Sequence, residues 1–131
     1  MNKLTPIRSS EDLLKTLPIF PISGVVLLPR GQLPLKIFEP RYLAMTRDAM
    51  AGKRMIGMIQ PVDSYDESNQ PEVYKIGCVG YIDTFSETKD RQYLIALTGI
   101  CRFDVDQELP LMQTGYRRVH AVSYTHLTLP T

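Results

Sequence analysis

The residues that could do chemistry in this chain of 131 are sparse and badly placed for it. Its two cysteines, Cys78 and Cys101, share no Cys-x-x-Cys pair, and each falls on the apolar side of an alternating stretch. That pattern belongs to thiols packed as small hydrophobes rather than to an exposed thiolate nucleophile or zinc ligand. His120, beside Arg117 and Arg118, is the one histidine outside the C-terminal stretch, and a single imidazole does not build a His-based metal site. There is no Gly-x-Ser-x-Gly nucleophile elbow. Gly52-Lys53-Arg54 is no phosphate loop, because position 47 is Arg rather than Gly and neither Ser nor Thr follows Lys53. Asp63, Asp66, Glu67 and Glu72 crowd one stretch, but without the ligand spacing and central Gly of a calcium loop they read as a solvated hairpin tip. The residues call for no metal and no cofactor, and the expectation is a binding module rather than an enzyme.

Composition narrows the class of partner. Fifteen Lys and Arg balance fourteen Asp and Glu, and only Arg117-Arg118 clusters, which argues against a phosphate-binding, nucleic-acid surface. No apolar run approaches the ~20 residues that a membrane helix needs. The start, MNKLTPIRSSEDLLK, is polar where a secretory leader would be apolar, and two cysteines make no disulfide framework, so the expected compartment is the cytoplasm. A chain of this size has one core to build.

The elements that must carry any surface follow from punctuation and period. Residues 1–16 are a polar lead-in, in which Ser9-Ser10-Glu11-Asp12 would cap a helical turn through Leu13 and Leu14. Prolines 18, 21, 29 and 34 forbid helix over the next stretch and predict short strands near edges or bends, at Leu17–Pro21, Val25–Leu28 and Leu35–Phe38. One clear helix begins at Pro40, a residue suited to the first helical position. It carries Tyr42, Met45 and Ala49 on one stripe, keeps Arg41, Arg47 and Asp48 wet, and stops at Gly52. Met55–Gln60 is a short apolar strand, and Pro61–Glu72 is loop. Tyr74, Ile76, Cys78 and Ile82 then share one face against Lys75 and Asp83, with Gly77 and Gly80 bending the strand. Arg91–Thr98 is apolar on both faces, as in a central strand; Cys101, Phe103 and Val105 alternate in another, and Arg117–Ala121 forms a last one. Met45, Met50, Met55 and Met58 sit at core positions as filler. The fold class is mainly β (α+β), a coiled sheet or half-open barrel with one main helix.

The C-terminal decapeptide VSYTHLTLPT, residues 122–131, has no charged side chain and three threonines. It resembles the translated reading frame of a transposase-type sequencing adapter, so it is set apart as a non-native tail. The natural protein is expected to continue past Ala121, and His126 to carry no functional meaning.

The segment LPIFPISGVVLLPRGQLPLKIFEPRYLAM, Leu17 to Met45, resembles the N-terminal, substrate-binding domain of the Lon protease family. Met55-Ile56-Gly57-Met58, Tyr74 to Gly80 and Tyr93 to Phe103 continue the likeness, which covers residues 17–121. The resemblance implies a PUA-like pseudo-barrel whose companion helical lobe would lie beyond Ala121. Ile37 to Tyr42 is similar to the version found in stand-alone bacterial members and in eukaryotic multidomain proteins, and the bacterial form is the one adopted. That implies a protein of about two hundred residues, an ordinary domain size, without the ATPase and Ser–Lys peptidase domains of the full protease. No catalytic residue can be carried over. The function so implied is non-catalytic binding of unfolded or extended polypeptide, or of a partner protein. A PUA-like RNA-binding domain and an accessory subunit of an ATP-dependent protease stay open as alternatives. The candidate residues are Phe38, Glu39, Pro40, Arg41 and Tyr42. They read first as a strand-to-helix elbow, in which Glu39 meets the positive helix end, Arg41 pairs with Glu39 or Asp83 or grips a partner's backbone, and Tyr42 is half-buried.

Overall fold

Among the described residues, six strands and one helix follow in the order β1 (Leu17–Pro21), β2 (Gln32–Ile37), α1 (Pro40–Ala51), β3 (Met55–Pro61), β4 (Val73–Glu87), β5 (Tyr93–Glu108) and β6 (Arg117–Val122). The structure is a computed structural model and describes residues 16–123. The cap expected at Ser9–Asp12, His126, and all but the first two residues of the C-terminal decapeptide lie outside that range.

The strands form one sheet in the order β2-β5-β4-β3-β1-β6, and β5 also pairs with β6. Five strands therefore close on themselves, while β2 extends the sheet beside the first half of β5. All pairings are antiparallel except β1 with β3. Over the described residues the architecture is mostly β with one helix, a ring rather than a clean barrel.

The ring interior is filled by Leu17, Ile19, Met55, Ile59, Val79, Cys101, Phe103, Val119 and Ala121, contributed by all five of its strands. Phe103 occupies its centre because Gly57 and Gly77 leave room: a Cβ at either position would come within 2.8 Å of the Phe103 ring. A second core lies outside the ring, where Tyr42, Met45 and Ala49 of α1 and Leu27 of the β1–β2 connection join Phe20, Ile56, Met58, Ile82 and Leu97. With a core on each side, Met55–Ile59 of β3 is buried throughout, which explains its unbroken apolar run. The helix forms as its punctuation predicts, with Pro40 in the first turn and the Gly52 N–H donating to Ala49 O at its end.

Three expectations are corrected. Val25–Leu28 is no strand: it makes no ladder and belongs to a long connection, residues 22–31, bracketed by the turn formers Gly24 and Pro29-Arg30. The two strands expected at Arg91–Thr98 and Cys101–Val105 are one strand of 16 residues. Ile100 is the extra residue at a register shift between Val79↔Cys101 and Gly80↔Gly99, so a bulge bends the chain there instead of ending the strand. The third concerns β1, which lies between β6 and β3 despite its two prolines. Its ladder to β6 covers Leu17–Ile19 and its ladder to β3 covers Ile19–Pro21, so each proline sits where only one neighbour pairs.

Candidate functional site

The same-face residues of β4 part company along the strand. Cys78 and Ile82 are buried, whereas Tyr74 and Ile76 are about half exposed. The apolar face read from the alternation is therefore real, but the second core takes in only the Cys78 and Ile82 part of it. The uncovered part is the floor of an open groove of about 670 Å³. Met58 of β3, Cys78 of β4 and Arg102 of β5 stand in register across that floor.

One wall is the connection 22–31. Its two ends are pinned to the sheet: Ile22 N–H donates to Ile59 O (3.1 Å) and Gln60 Nε2 to Val25 O (3.2 Å), while Arg30 N–H donates to Gly99 O (2.9 Å) and Gly99 N–H to Gly31 O (2.8 Å). Between the pins Leu27 turns into the core, and Val26 and Leu28 are left 65% and 64% exposed at the groove. Side chains this apolar and this exposed, clustered around one concavity, mark a surface built to be covered. Arg102 is the one permanently charged side chain of the lining.

The elbow sits elsewhere. Ile37 is buried, Phe38 is 59% exposed, and Pro40 starts α1 with the Glu39 carbonyl accepting from the Tyr42 and Leu43 N–H groups, both at 2.9 Å. Arg41 Nε donates to Glu39 Oε1 (3.3 Å) and its Nη1 to Asn69 O (2.8 Å), so it grips this chain's own backbone. It has no contact with Asp83, whose carboxylate accepts from the Thr98 hydroxyl. Tyr42 is buried rather than half-buried; its ring lies 4.3 Å from Phe20 and under the Arg41 guanidinium, and burial raises its pKa. A second arginine holds the same acidic loop: Arg117 pairs twice with Glu108 (2.8 and 2.9 Å) and donates to Pro71 O (2.7 Å). That pairing pulls Glu108 below the ordinary carboxylate range. None of Phe38, Glu39, Pro40, Arg41 and Tyr42 lines the groove.

Neither thiol is poised for reaction. Burial, helped by the nearby Cys101, pushes the Cys78 thiol to about 11, and burial raises Cys101 as well. His120 meets Asp106 (3.0 Å), and among the described residues no three metal-ligating side chains cluster. The groove thus presents exposed apolar side chains around a single guanidinium.

Sequence reasoning missed the groove residues Val26, Leu28, Tyr74, Ile76 and Arg102. A signal was present for the wall, because Gly24 and Pro29-Arg30-Gly31 frame the apolar run with turn formers. None was present for the floor, since exposed and buried members of one strand face look alike in sequence.

Comparison with known proteins places this geometry. The family model of the ATP-dependent protease La (LON) substrate-binding domain matches residues 16–128. The chain belongs to that family. Its match runs past Ala121 into the decapeptide set apart above. The chain is 29% identical over 115 residues to the Lon protease of Flavobacterium johnsoniae, and 28% identical over 118 residues to Lon protease 2 of Myxococcus xanthus. These alignments cover 85% and 87% of this chain but 14% of each relative, so the chain spans only a small part of the Lon proteases it matches. Among solved structures it is similar to a Lon N-terminal domain protein from Xanthomonas campestris (TM-score 0.66, 24% identity), covering 90% of this chain and 63% of that one. It is also similar to the N-terminal domain of the Mycobacterium avium complex Lon protease (TM-score 0.65, 11% identity, 88% and 58% covered). At these identities the two structures support the ring-and-helix fold. No described helix is long and apolar enough to cross a membrane.

Proposed function

We propose that this domain is a non-catalytic recognition module that holds unfolded or extended polypeptide in the groove between the connection 22–31 and the first half of β4. One observation carries the reading: the core face of β4 runs uncovered out of the protein at Tyr74 and Ile76, opposite Val26 and Leu28. Membership in a family named for substrate binding supports it. An apolar segment laid in the groove removes these side chains from water at about 25 cal/mol per Å² of apolar area, against the entropy of ordering the segment. The balance suits weak, sequence-tolerant capture of exposed hydrophobic chain.

In this reading the elbow Phe38–Tyr42 fixes the entry of α1, and Phe38 alone offers exposed aromatic surface as an accessory contact. The module serves the cytoplasm, alone or beside an ATP-dependent protease, and contributes no reactive group of its own. The test is fluorescence anisotropy with a reduced, carboxymethylated, permanently unfolded protein as ligand. Val26→Asp with Ile76→Asp is expected to weaken binding at least tenfold while far-UV circular dichroism stays unchanged. Unaltered affinity in that folded double variant overturns the proposal.

A further inference from the structure

The groove is apolar but its charge is not featureless. Arg102 is exposed, lines the groove, and makes no hydrogen bond or ion pair among the described residues. The other charged groups of this face are arranged around it in a fixed order. Moving along β5, the next residue on the same face is Asp104, which stands opposite Ile76 and lines the neighbouring depression with Tyr74, Val105 and Asp106. Asp106 is already engaged by His120 (3.0 Å). Lys75 belongs to the opposite face of β4, though it borders that second depression. A chain laid along the sheet thus meets Met58, Cys78 and Ile76 as apolar floor, one uncommitted cation at Arg102, and an anion two residues farther on.

We propose that the groove selects extended apolar segments that carry a single acidic side chain, with Arg102 as the carboxylate's partner. This deepens the polypeptide-binding reading above and rests on it. Two physical points fix the preference. A guanidinium offers a planar fork of donors that a carboxylate satisfies in bidentate fashion, and the apolar wall beside it weakens solvent screening. Extended chain advances about 3.3 Å per residue, so side chains two apart on one peptide face match the step from Arg102 to Asp104. A lone acidic residue is therefore favoured, whereas a run of them brings the second carboxylate against Asp104. A basic residue at the Arg102 position is repelled.

The experiment uses the full chain and a set of labelled peptides with one shared Leu/Ile/Phe core, capped at both ends so that a side chain supplies the only carboxylate. They differ at one central position, occupied by Glu, Gln or Lys. The wild type is expected to bind in the order Glu, Gln, Lys, with about three- to tenfold between Glu and Gln, a gap that narrows at high salt. Arg102→Gln should abolish the preference and Arg102→Glu should reverse it, both with unchanged circular dichroism. A fourth peptide with two Glu residues, alternate in sequence, should bind no better than the single-Glu peptide. Equal binding of all peptides by the wild type, or an order unmoved by Arg102→Glu, overturns the role of Arg102 and leaves the groove reading standing. Failure of every peptide to bind the folded wild type overturns both.

Discussion

Substituting Gly99 by Ala tests whether the groove wall is held where the structure puts it. Gly99 lies on β5 beneath the connection 22–31, and a Cβ there would overlap the Leu28 carbonyl oxygen, stand 2.8 Å from its carbon and 3.2 Å from Pro29 Cα. Every one of these atoms is backbone, so no side-chain rotation relieves the clash; the connection must lift by about 1.5 Å, the shortfall from ordinary packing distance. Lifting it strains two hydrogen bonds, Arg30 N–H to Gly99 O and Gly99 N–H to Gly31 O. Each is worth about 0.5–1.5 kcal/mol net. Leu27, 6% exposed beside Gly80, loses part of its packing as well. The sum is about 2–4 kcal/mol, in the range of overpacking in general. For a domain of this size that is a fall of roughly 8–16 °C in Tm. The assay pairs thermal unfolding by circular dichroism with peptide anisotropy, because the wall carries Val26 and Leu28 into the groove. Gly24→Ala is the control: it lies in the same connection with nothing within 4 Å of its Cβ, and costs only its positive φ, about 1 kcal/mol. A Gly99→Ala protein with wild-type Tm and wild-type peptide affinity refutes the wall as drawn.

Other outcomes follow from the cores and the titrating groups. Phe103→Ala empties the centre of the ring and should cost about 3–5 kcal/mol, read by urea denaturation. Glu108, held low by Arg117, binds a proton more tightly in the unfolded chain than in the folded one. Its contribution is therefore complete above the ordinary Glu range near 4.3 and is lost as pH falls through its lower folded value, so Glu108→Gln should flatten the acid limb of a stability–pH profile. With its thiol at about 11 against an ordinary 9, Cys78 is about a hundredfold poorer in thiolate, so alkylation near neutral pH should be slow until denaturant exposes it. Tyr116 Oη donates to Asp48 Oδ2 (2.7 Å), and Tyr116→Phe should lower stability by about 0.5–1.5 kcal/mol by thermal unfolding.

The helix limits, the shared faces of the strands and the inward thiols could be read from the chain because each is written locally. Pro40 and Gly52 act on their own turns, and alternation in a strand states which residues share a face, whatever lies above it. So the sequence by itself determined that Tyr74, Ile76, Cys78 and Ile82 point one way and that Cys101 and Phe103 point together. Tertiary structure alone decided what covers those faces. Ile82 is sealed beneath the second core, while Ile76 is left open because the connection 22–31 is pinned at Ile59 and Gly99, residues distant in sequence, and spans only as far as those pins allow. The same holds for β1, whose prolines forbid two full ladders yet permit an interior place once β6 and β3 divide its length. Burial is a relation between segments brought together by the closed ring, and a pattern confined to one segment carries no record of its partner.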